Sequence, residues 1–378
     1  MKVIKKMTKT IPFIDLSAQQ KRLRKNIQKG IDGVLSHGKY IMGPEVKEFE
    51  KKLEDYTNAN YAVTCGNGTD ALLLSLMAYN IGPGDLVFCP AFTFPATAEV
   101  ICLLGAVPYF IDVEKDTFNI SIEGLNKAIK IATQEKKYNI KAIIAVDLYG
   151  LPAEYKSLNN IAKKNNLILI ADAAQSFGAE YLEKKVGTLA DITCISFFPA
   201  KPLGCYGDGG AILTDNEDIA SKVKNLRVHG KGKSKYDIDY IGVNSRLDTI
   251  QAAVLLSKID SFEWEVMRRN KIAKRYSEFL SNDYNVPFIP KGYNSIWAQY
   301  TIKHENRDEI QGHLKSQGIP TMIYYPVPMH LQNAYKKYYR GPLVNSEKLA
   351  KQVFSIPMYP DMSEEDQEYI ISNMLKSI

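Results

Sequence analysis

The chain has 378 residues, with 48 lysines and arginines against 42 acidic residues, for a formal charge of +6. Apolar residues make up 45% and charged residues 24%, an ordinary globular composition with room for one large α/β unit or two domains. The small positive excess makes no case for nucleic acid and suits a small anionic substrate equally well.

The N-terminal run MKVIKKMTKTIPFIDL is basic and lacks the apolar centre of a signal peptide. The longest uncharged apolar stretch, Val100 to Ile111, contains Gly105 and Pro108 and falls short of the ~20 residues that span a bilayer. The cysteines are Cys65, Cys89, Cys102, Cys194 and Cys205; their number is odd and none forms a CxxC. They read as reduced core residues of a cytoplasmic protein with no membrane partner. The histidines show no metal-ligand spacing.

Before residue 60 the pattern is helical, with Gly43-Pro44 marking a turn ahead of EVKEFEKKLEDYT. From about residue 60 to 215 apolar runs alternate with helical segments: YAVTC (61–65), DLVFCP (85–90), VPYFIDV (107–113), KAIIAVDLYG (141–150), LILIADAA (167–174), ITCISFFP (192–199) and GAILTD (210–215). Continuous apolar runs of this kind are expected of buried parallel strands, so the fold class is α/β with a mostly parallel sheet. A long helix is expected from Gln251 to Ser281, leading into a small α+β domain. The boundary is placed near residue 255, giving a large domain over 1–255 and a small one over 256–378.

Three stations carry chemistry. Gly66-Asn67-Gly68-Thr69-Asp70 lies between the strand YAVTC and the helix ALLLSLMAY. A glycine turn at a helix N-terminus presents free amides to an anion, and Thr69 adds a hydroxyl; a plain tight turn started by Asp70 is the alternative. The sequence is neither a dinucleotide fingerprint nor a phosphate-binding Walker loop; Gly232-Lys233-Ser234 ends like one, but Arg227 stands where the first glycine belongs.

The second station is Asp172, at the end of LILIAD, with Gln175 three residues on. A carboxylate there faces the crevice where open α/β sheets bind ligands, or it caps the following helix. The third is Lys201, set in the turn SFFPAKPLGCYGDGG among apolar residues and glycines. A lysine in an apolar pocket has a depressed pKa and becomes a nucleophile; the alternative is a surface turn. Together they supply a phosphate cradle, an acid for a pyridine nitrogen and an amine for an aldehyde, the parts that pyridoxal phosphate requires.

On these residues, and on the runs GNGTDAL, PAFTFPATA, ADAAQSFGA, SFFPAKPLGCYGDGGA and GVNSRLDTIQAA, the chain resembles the DegT/StrS group of sugar-nucleotide aminotransferases over nearly its whole length. Within the group it looks most like the aminotransferases acting on UDP-2-acetamido-2-deoxy-3-oxo-glucuronate. The resemblance implies the fold-type I pyridoxal-phosphate architecture, like aspartate aminotransferase. It also implies the cofactor cycling between pyridoxal and pyridoxamine phosphate, L-glutamate as donor, a UDP-sugar acceptor, and a homodimer with shared sites serving surface-polysaccharide synthesis.

Residue by residue, it implies that Lys201 joins the cofactor aldehyde and that Asp172 pairs with the pyridine nitrogen. Gln175 would lie near the ring hydroxyl and Phe94 would stack on the ring. Gly68, Thr69 and Ser196 would hold the phosphate, helped by Asn244 of the second subunit. Arg227 and His229 in RVHG, Arg246 in NSRLD, and Tyr324 and Tyr325 in MIYYPVP are expected at the sugar nucleotide. The chain departs from the family in carrying Asp147-Leu148-Tyr149-Gly150 where His-Leu-Tyr-Gly is frequent, and Phe94 where relatives have Trp or Tyr. Alternatives are the same chemistry on a dTDP-linked 3- or 4-keto-6-deoxyhexose, or a non-catalytic regulator that binds pyridoxal phosphate.

Overall fold

The structure is a computed structural model, and it describes residues 9–232, 234 and 236–378. Lys233 and Lys235 of the lysine run at 231–235 lie outside the described residues.

Two helices open the described chain, α1 (Leu16–His37) and α2 (Pro44–Thr57). Asp15 caps α1 by accepting from the amides of Ser17 and Ala18. Gly43 precedes α2 with Pro44 at its first position, where a missing N–H costs nothing. The expected apolar runs then form β1 (Tyr61–Cys65), β2 (Asp85–Pro90), β3 (Val107–Ile111), β4 (Asn139–Val146), β5 (Ile168–Asp172), β6 (Ile192–Ser196) and β7 (Gly210–Thr214). They make one seven-stranded sheet in the order β1-β7-β6-β5-β4-β2-β3.

Six of these strands run the same way, and β7 runs against both neighbours. The parallel direction expected for GAILTD is therefore corrected. Residues 197–209 join β6 to β7 without a helix. A strand that returns by a loop pairs antiparallel, because a parallel return needs a crossover.

Side chains alternate between the two faces. Ile143 and Ala145 of β4 enter one core, with α2, α5 (Ile122–Glu135), α6 (Tyr155–Asn165) and α8 (Thr249–Ile259) over it. Ala142 and Ile144 enter the other, under α3 (Gly68–Ala78), α4 (Ala96–Leu103) and α7 (Glu217–Leu226). With both faces covered, the strands can be apolar throughout.

The single helix expected from Gln251 to Ser281 is two, α8 and α9 (Phe262–Leu280), broken at Asp260-Ser261. Ser261 Oγ donates to the carbonyl of Lys258 at the break. Residue 255 lies inside α8, in the large core, and Phe262 and Val266 of α9 still pack there. Ile272, Ala273, Tyr276 and Leu280 of α9 instead join a separate core with β8 (Tyr300–Lys303), β9 (Val353–Ile356) and Ile11 from the start of the chain. A smaller cluster joins Phe92, Val146 and Tyr149 to Leu349 and Val353, with Tyr324 and Tyr325 packed on it. It sets the Tyr324-Tyr325 segment over the ends of β2 and β4. Among the described residues no helix is long and apolar enough to cross a membrane.

Candidate active site

The C-terminal ends of β1, β5 and β6 open on one crevice, the place where open α/β sheets bind ligands. At the end of β1 the chain turns through Gly66 into α3. Asn67 is the N-cap: its Oδ1 accepts from the amide of Asp70 at 2.8 Å. The amides of Gly68 and Thr69, at the first two positions, have no partner within the helix. The anion reading thus stands beside a cap made by Asn67 and not by Asp70. Asp70 serves the turn differently: its Oδ2 accepts from Ser245 Oγ at 2.7 Å, and that oxygen accepts from the amide of Gly66 at 2.9 Å.

Gly68 lies flat against Ser196 at the end of β6. A Cβ on Gly68 would sit 2.6 Å from the Ser196 Cβ. Only glycine lets the helix start and the serine hydroxyl converge, and the result is a cradle of amides and hydroxyls at a helix N-terminus. It fits a phosphate.

Asp172 ends β5 and is buried. Its Oδ2 accepts from Thr97 Oγ1 at 2.8 Å and its Oδ1 from the amide of Ala174 at 3.3 Å. Burial raises its carboxyl above the usual range; the hydroxyl of Thr97, the Ala174 amide and the charge of Lys201 act the other way. Lys201 lies in the turn after β6, its amide donating to the carbonyl of Phe198 at 2.8 Å. Burial lowers its ammonium pKa, and Asp172 partly opposes this. The two groups therefore share one weakly solvated space. A buried carboxylate is what a pyridinium nitrogen would pair with, and a lysine of lowered pKa is what an aldehyde would meet.

Gln175 is held by its carbonyl, since Oε1 accepts from the amide of Tyr149 at 2.7 Å. Its Nε2 is thereby aimed into the site, where Tyr325 Oη lies 3.3 Å away. Phe94, 55% exposed, has its ring 6.1 Å from that of Tyr325. The Tyr149 hydroxyl donates to the carbonyl of Tyr324 and fixes that segment at the mouth.

The structure gathers Gly68, Thr69, Ser196, Asp172, Gln175, Lys201, Phe94 and Tyr325 around this crevice. Asn244 and His229 are exposed on an adjoining segment, tied by a bridge between Val228 and Asn244. Arg246 is half-buried and makes no hydrogen bond or ion pair with a described residue. Arg227 differs from expectation. It is 4% exposed, and its Nη1 donates to Glu50 Oε1 at 2.7 Å and to the carbonyl of Thr64 at 2.6 Å. Its guanidinium ties α2 to β1 and α7 and is not available to a sugar.

Thr97 and Ser245 were not anticipated. The pair Thr93 and Thr97, one helical turn apart in PAFTFPATA, was the available signal, and their hydroxyls lie 3.0 Å from each other. Lys201 is half-buried, and Lys258 on α8 is the more fully enclosed lysine, at 2% exposed.

A glycine-walled helix start, a buried strand-end carboxylate and a half-buried lysine of lowered pKa on a seven-stranded α/β sheet define a pyridoxal-phosphate-dependent transferase of fold type I. The chain belongs to the DegT/DnrJ/EryC1/StrS aminotransferase family, whose profile matches residues 21–375. It is 45% identical over 351 residues to the UDP-2-acetamido-2-deoxy-3-oxo-D-glucuronate aminotransferase of Pseudomonas aeruginosa, covering 93% of this chain and 95% of that one. It is 39% identical to the dTDP-3-amino-3,6-dideoxy-alpha-D-galactopyranose transaminase of Aneurinibacillus thermoaerophilus, covering 96% and 98%. The crystal structure of a family aminotransferase from Brucella abortus superposes with a TM-score of 0.96 at 48% identity, over 97% of this chain and 99% of that one.

Proposed function

We propose that the chain is an aminotransferase that places an amino group at the 3-keto carbon of a nucleotide-linked sugar. We take the sugar to be UDP-2-acetamido-2-deoxy-3-oxo-glucuronate and the donor L-glutamate. The observation that carries the reaction class is the shared space of Lys201 and Asp172, closed on one side by the cradle of Gly68 and Ser196. The choice of sugar rests on the likeness to the Pseudomonas enzyme over nearly the whole chain.

Pyridoxal phosphate, when bound, supplies an aldehyde that exchanges for an amine and a ring that takes up electrons from the donor's α-carbon. The chain's own residues do the rest. The amides of Gly68 and Thr69 and the hydroxyls of Thr69 and Ser196 would hold the phosphate. Asp172, oriented by Thr97, would keep the pyridine nitrogen protonated. Gln175 Nε2, oriented by Tyr149, would donate to the ring hydroxyl, and Phe94 would lie against the ring. Lys201 Nζ would carry a proton to and from the reacting carbon. Arg246, His229, Tyr324 and Tyr325 are assigned to the sugar nucleotide.

The site is completed by a second copy of the chain, with Asn244 reaching the partner's phosphate. In support, Ile241 is 93% exposed, and Ile238, Tyr40, Ile41 and Phe198 are also exposed. Large apolar side chains so placed call for a covering surface. We assign the protein to cytoplasmic synthesis of precursors for a surface polysaccharide.

The test is a panel. The loaded protein is incubated with L-glutamate and keto sugars linked to UDP or dTDP, and the amino sugar is identified by mass and NMR. Selective conversion of the UDP-linked 3-keto uronate supports the reading. Preference for a dTDP-linked 6-deoxyhexose moves the assignment to the sugar of the Aneurinibacillus relative. No conversion of any acceptor leaves a binding protein.

A further inference from the structure

Lys258 is a buried amine that the reaction above does not use. It sits on α8, and no described carboxylate lies within ion-pair distance of it. The nearest acid in charge, Glu265, is occupied by Gln19 Nε2 at 2.9 Å and Arg22 Nη2 at 2.7 Å. An enclosed ammonium without a counter-ion is costly to keep, and burial lowers its pKa to about 8. A side chain retained on such terms calls for a use.

Its contacts give one. Lys258 Nζ donates to the carbonyl of Gly204 at 2.5 Å and lies 4.3 Å from the centre of the Tyr206 ring. Both belong to the loop after Lys201, and that loop closes on itself. The amide of Cys205 donates to the carbonyl of Phe197 at 2.8 Å, and the amide of Lys201 to that of Phe198. At Gly204 the two limbs touch: a Cβ there would be 2.4 Å from the carbonyl oxygen of Pro199 and 2.7 Å from that of Phe198. Phe198, whose carbonyl meets Gly204, is also the residue that accepts from the Lys201 amide, so the contact lies one hydrogen bond from Lys201. Gln251, seven residues before Lys258 and so on the same face of α8, takes the next part of the loop, with Oε1 accepting from the amide of Tyr206 at 2.8 Å.

We propose that Lys258 is a positioning residue for Lys201: by clipping the Gly204 carbonyl to α8 it holds the closed loop in the one arrangement that presents the Lys201 amine to the cofactor aldehyde. The inference rests on the reading of Lys201 given above. α8 is anchored in the large core through Ala252, Leu255 and Ile259, so the clip refers the reactive lysine to a helix packed in that core.

The experiment compares two ligands of the apoprotein. Pyridoxal phosphate needs covalent capture by Lys201, whereas pyridoxamine phosphate fills the same cradle without it. Lys258→Met keeps the stem and removes the donor and the charge. In this variant, capture of the aldehyde, followed by visible absorbance, is expected to slow about tenfold or more. Pyridoxamine phosphate affinity is expected to stay within about twofold of the parent, and Lys258→Arg to recover most of the rate. Parental capture in Lys258→Met overturns the proposal. So does an equal loss of both ligands, which would mark Lys258 as a general support of the fold. Should Lys258→Met not fold, Tyr206→Leu removes the ring face under the ammonium and is expected to slow capture about threefold, with the same contrast between ligands; parental capture there is equally fatal. If the parent itself captures no aldehyde, the failure is that of Lys201 as the reactive amine.

Discussion

Thr97 Oγ1 donates to Asp172 Oδ2 at 2.8 Å, across 75 residues of sequence and entirely inside the protein. The hydroxyl comes from the first turn of α4 and the carboxylate from the end of β5, so helix and strand are locked where the cofactor ring is to lie. A carboxylate with one oxygen fixed keeps the rest of its acceptor capacity for a second partner. Thr97→Val keeps the shape and removes the donor. Single-turnover reaction with glutamate is expected to slow about tenfold, the loss of one hydrogen bond to a charged group. Asp172→Asn, which removes the charge, is expected to slow it by about two orders of magnitude. Equal rates for Thr97→Val and the parent, by stopped-flow absorbance, would show that the contact does not orient Asp172.

Asp147 is where the sequence departs from the pattern expected of the family, which has histidine there. It is fully buried and accepts from the amide of Ala153 and the hydroxyl of Tyr155 at 2.8 Å and from Ser176 Oγ at 2.6 Å. Burial outweighs these donors and pushes its pKa from 3.8 up to about 7, with the charge of Asp172 adding to the rise. Across that interval the folded chain holds a proton that the unfolded chain has released. Its contribution to stability therefore falls as pH rises from about 4 to about 7. Asp147→Asn removes the titration. Measured by thermal unfolding, the variant should lose less stability than the parent between these limits. A parallel pH dependence in the two proteins would place the titration elsewhere.

Arg227 illustrates what a sequence does and does not disclose. Its motif, RVHG, drew it into the sugar site, yet its partner Glu50 lies 177 residues away on α2, and nothing local announces that pairing. Arg227→Met leaves Glu50 enclosed without its cation and is expected to destabilise the fold by about 3–5 kcal/mol. Denaturant unfolding measures this. A variant of parental stability with a raised KM for the sugar nucleotide would return Arg227 to the site.

The sheet was legible because buried strands write themselves as apolar runs, and the site because Gly68, Asp172 and Lys201 lie at strand ends in an order that fits one cofactor. Strand direction was not legible: GAILTD is as apolar as its parallel neighbours, and only the helix-free loop before it decides that it runs backwards. Asp260-Ser261 carries no proline or glycine, so the break between α8 and α9 left no mark. Thr97 and Lys258 act through partners distant in sequence, which periodicity does not encode.

Asn244 provides a test of assembly. A Lys201→Ala chain and an Asn244→Ala chain should each be inactive alone. On the proposed dimer, mixing with subunit exchange would give heterodimers in which one site has its own Lys201 and the partner's intact Asn244. Up to about a quarter of parental activity per total site is expected for random exchange and independent sites. Exchange without recovery would show that Asn244 does not act across the interface.

The central claim is that Lys201 and Asp172 form an amino-transfer site. Its most direct measurement is the half-reaction: the protein loaded with pyridoxal phosphate is mixed with L-glutamate alone, and 2-oxoglutarate is counted against sites as the visible absorbance changes. About one keto acid per site, with none from Lys201→Ala, is the predicted result. A loaded parent protein that yields no keto acid from L-glutamate or any other amino donor would contradict it.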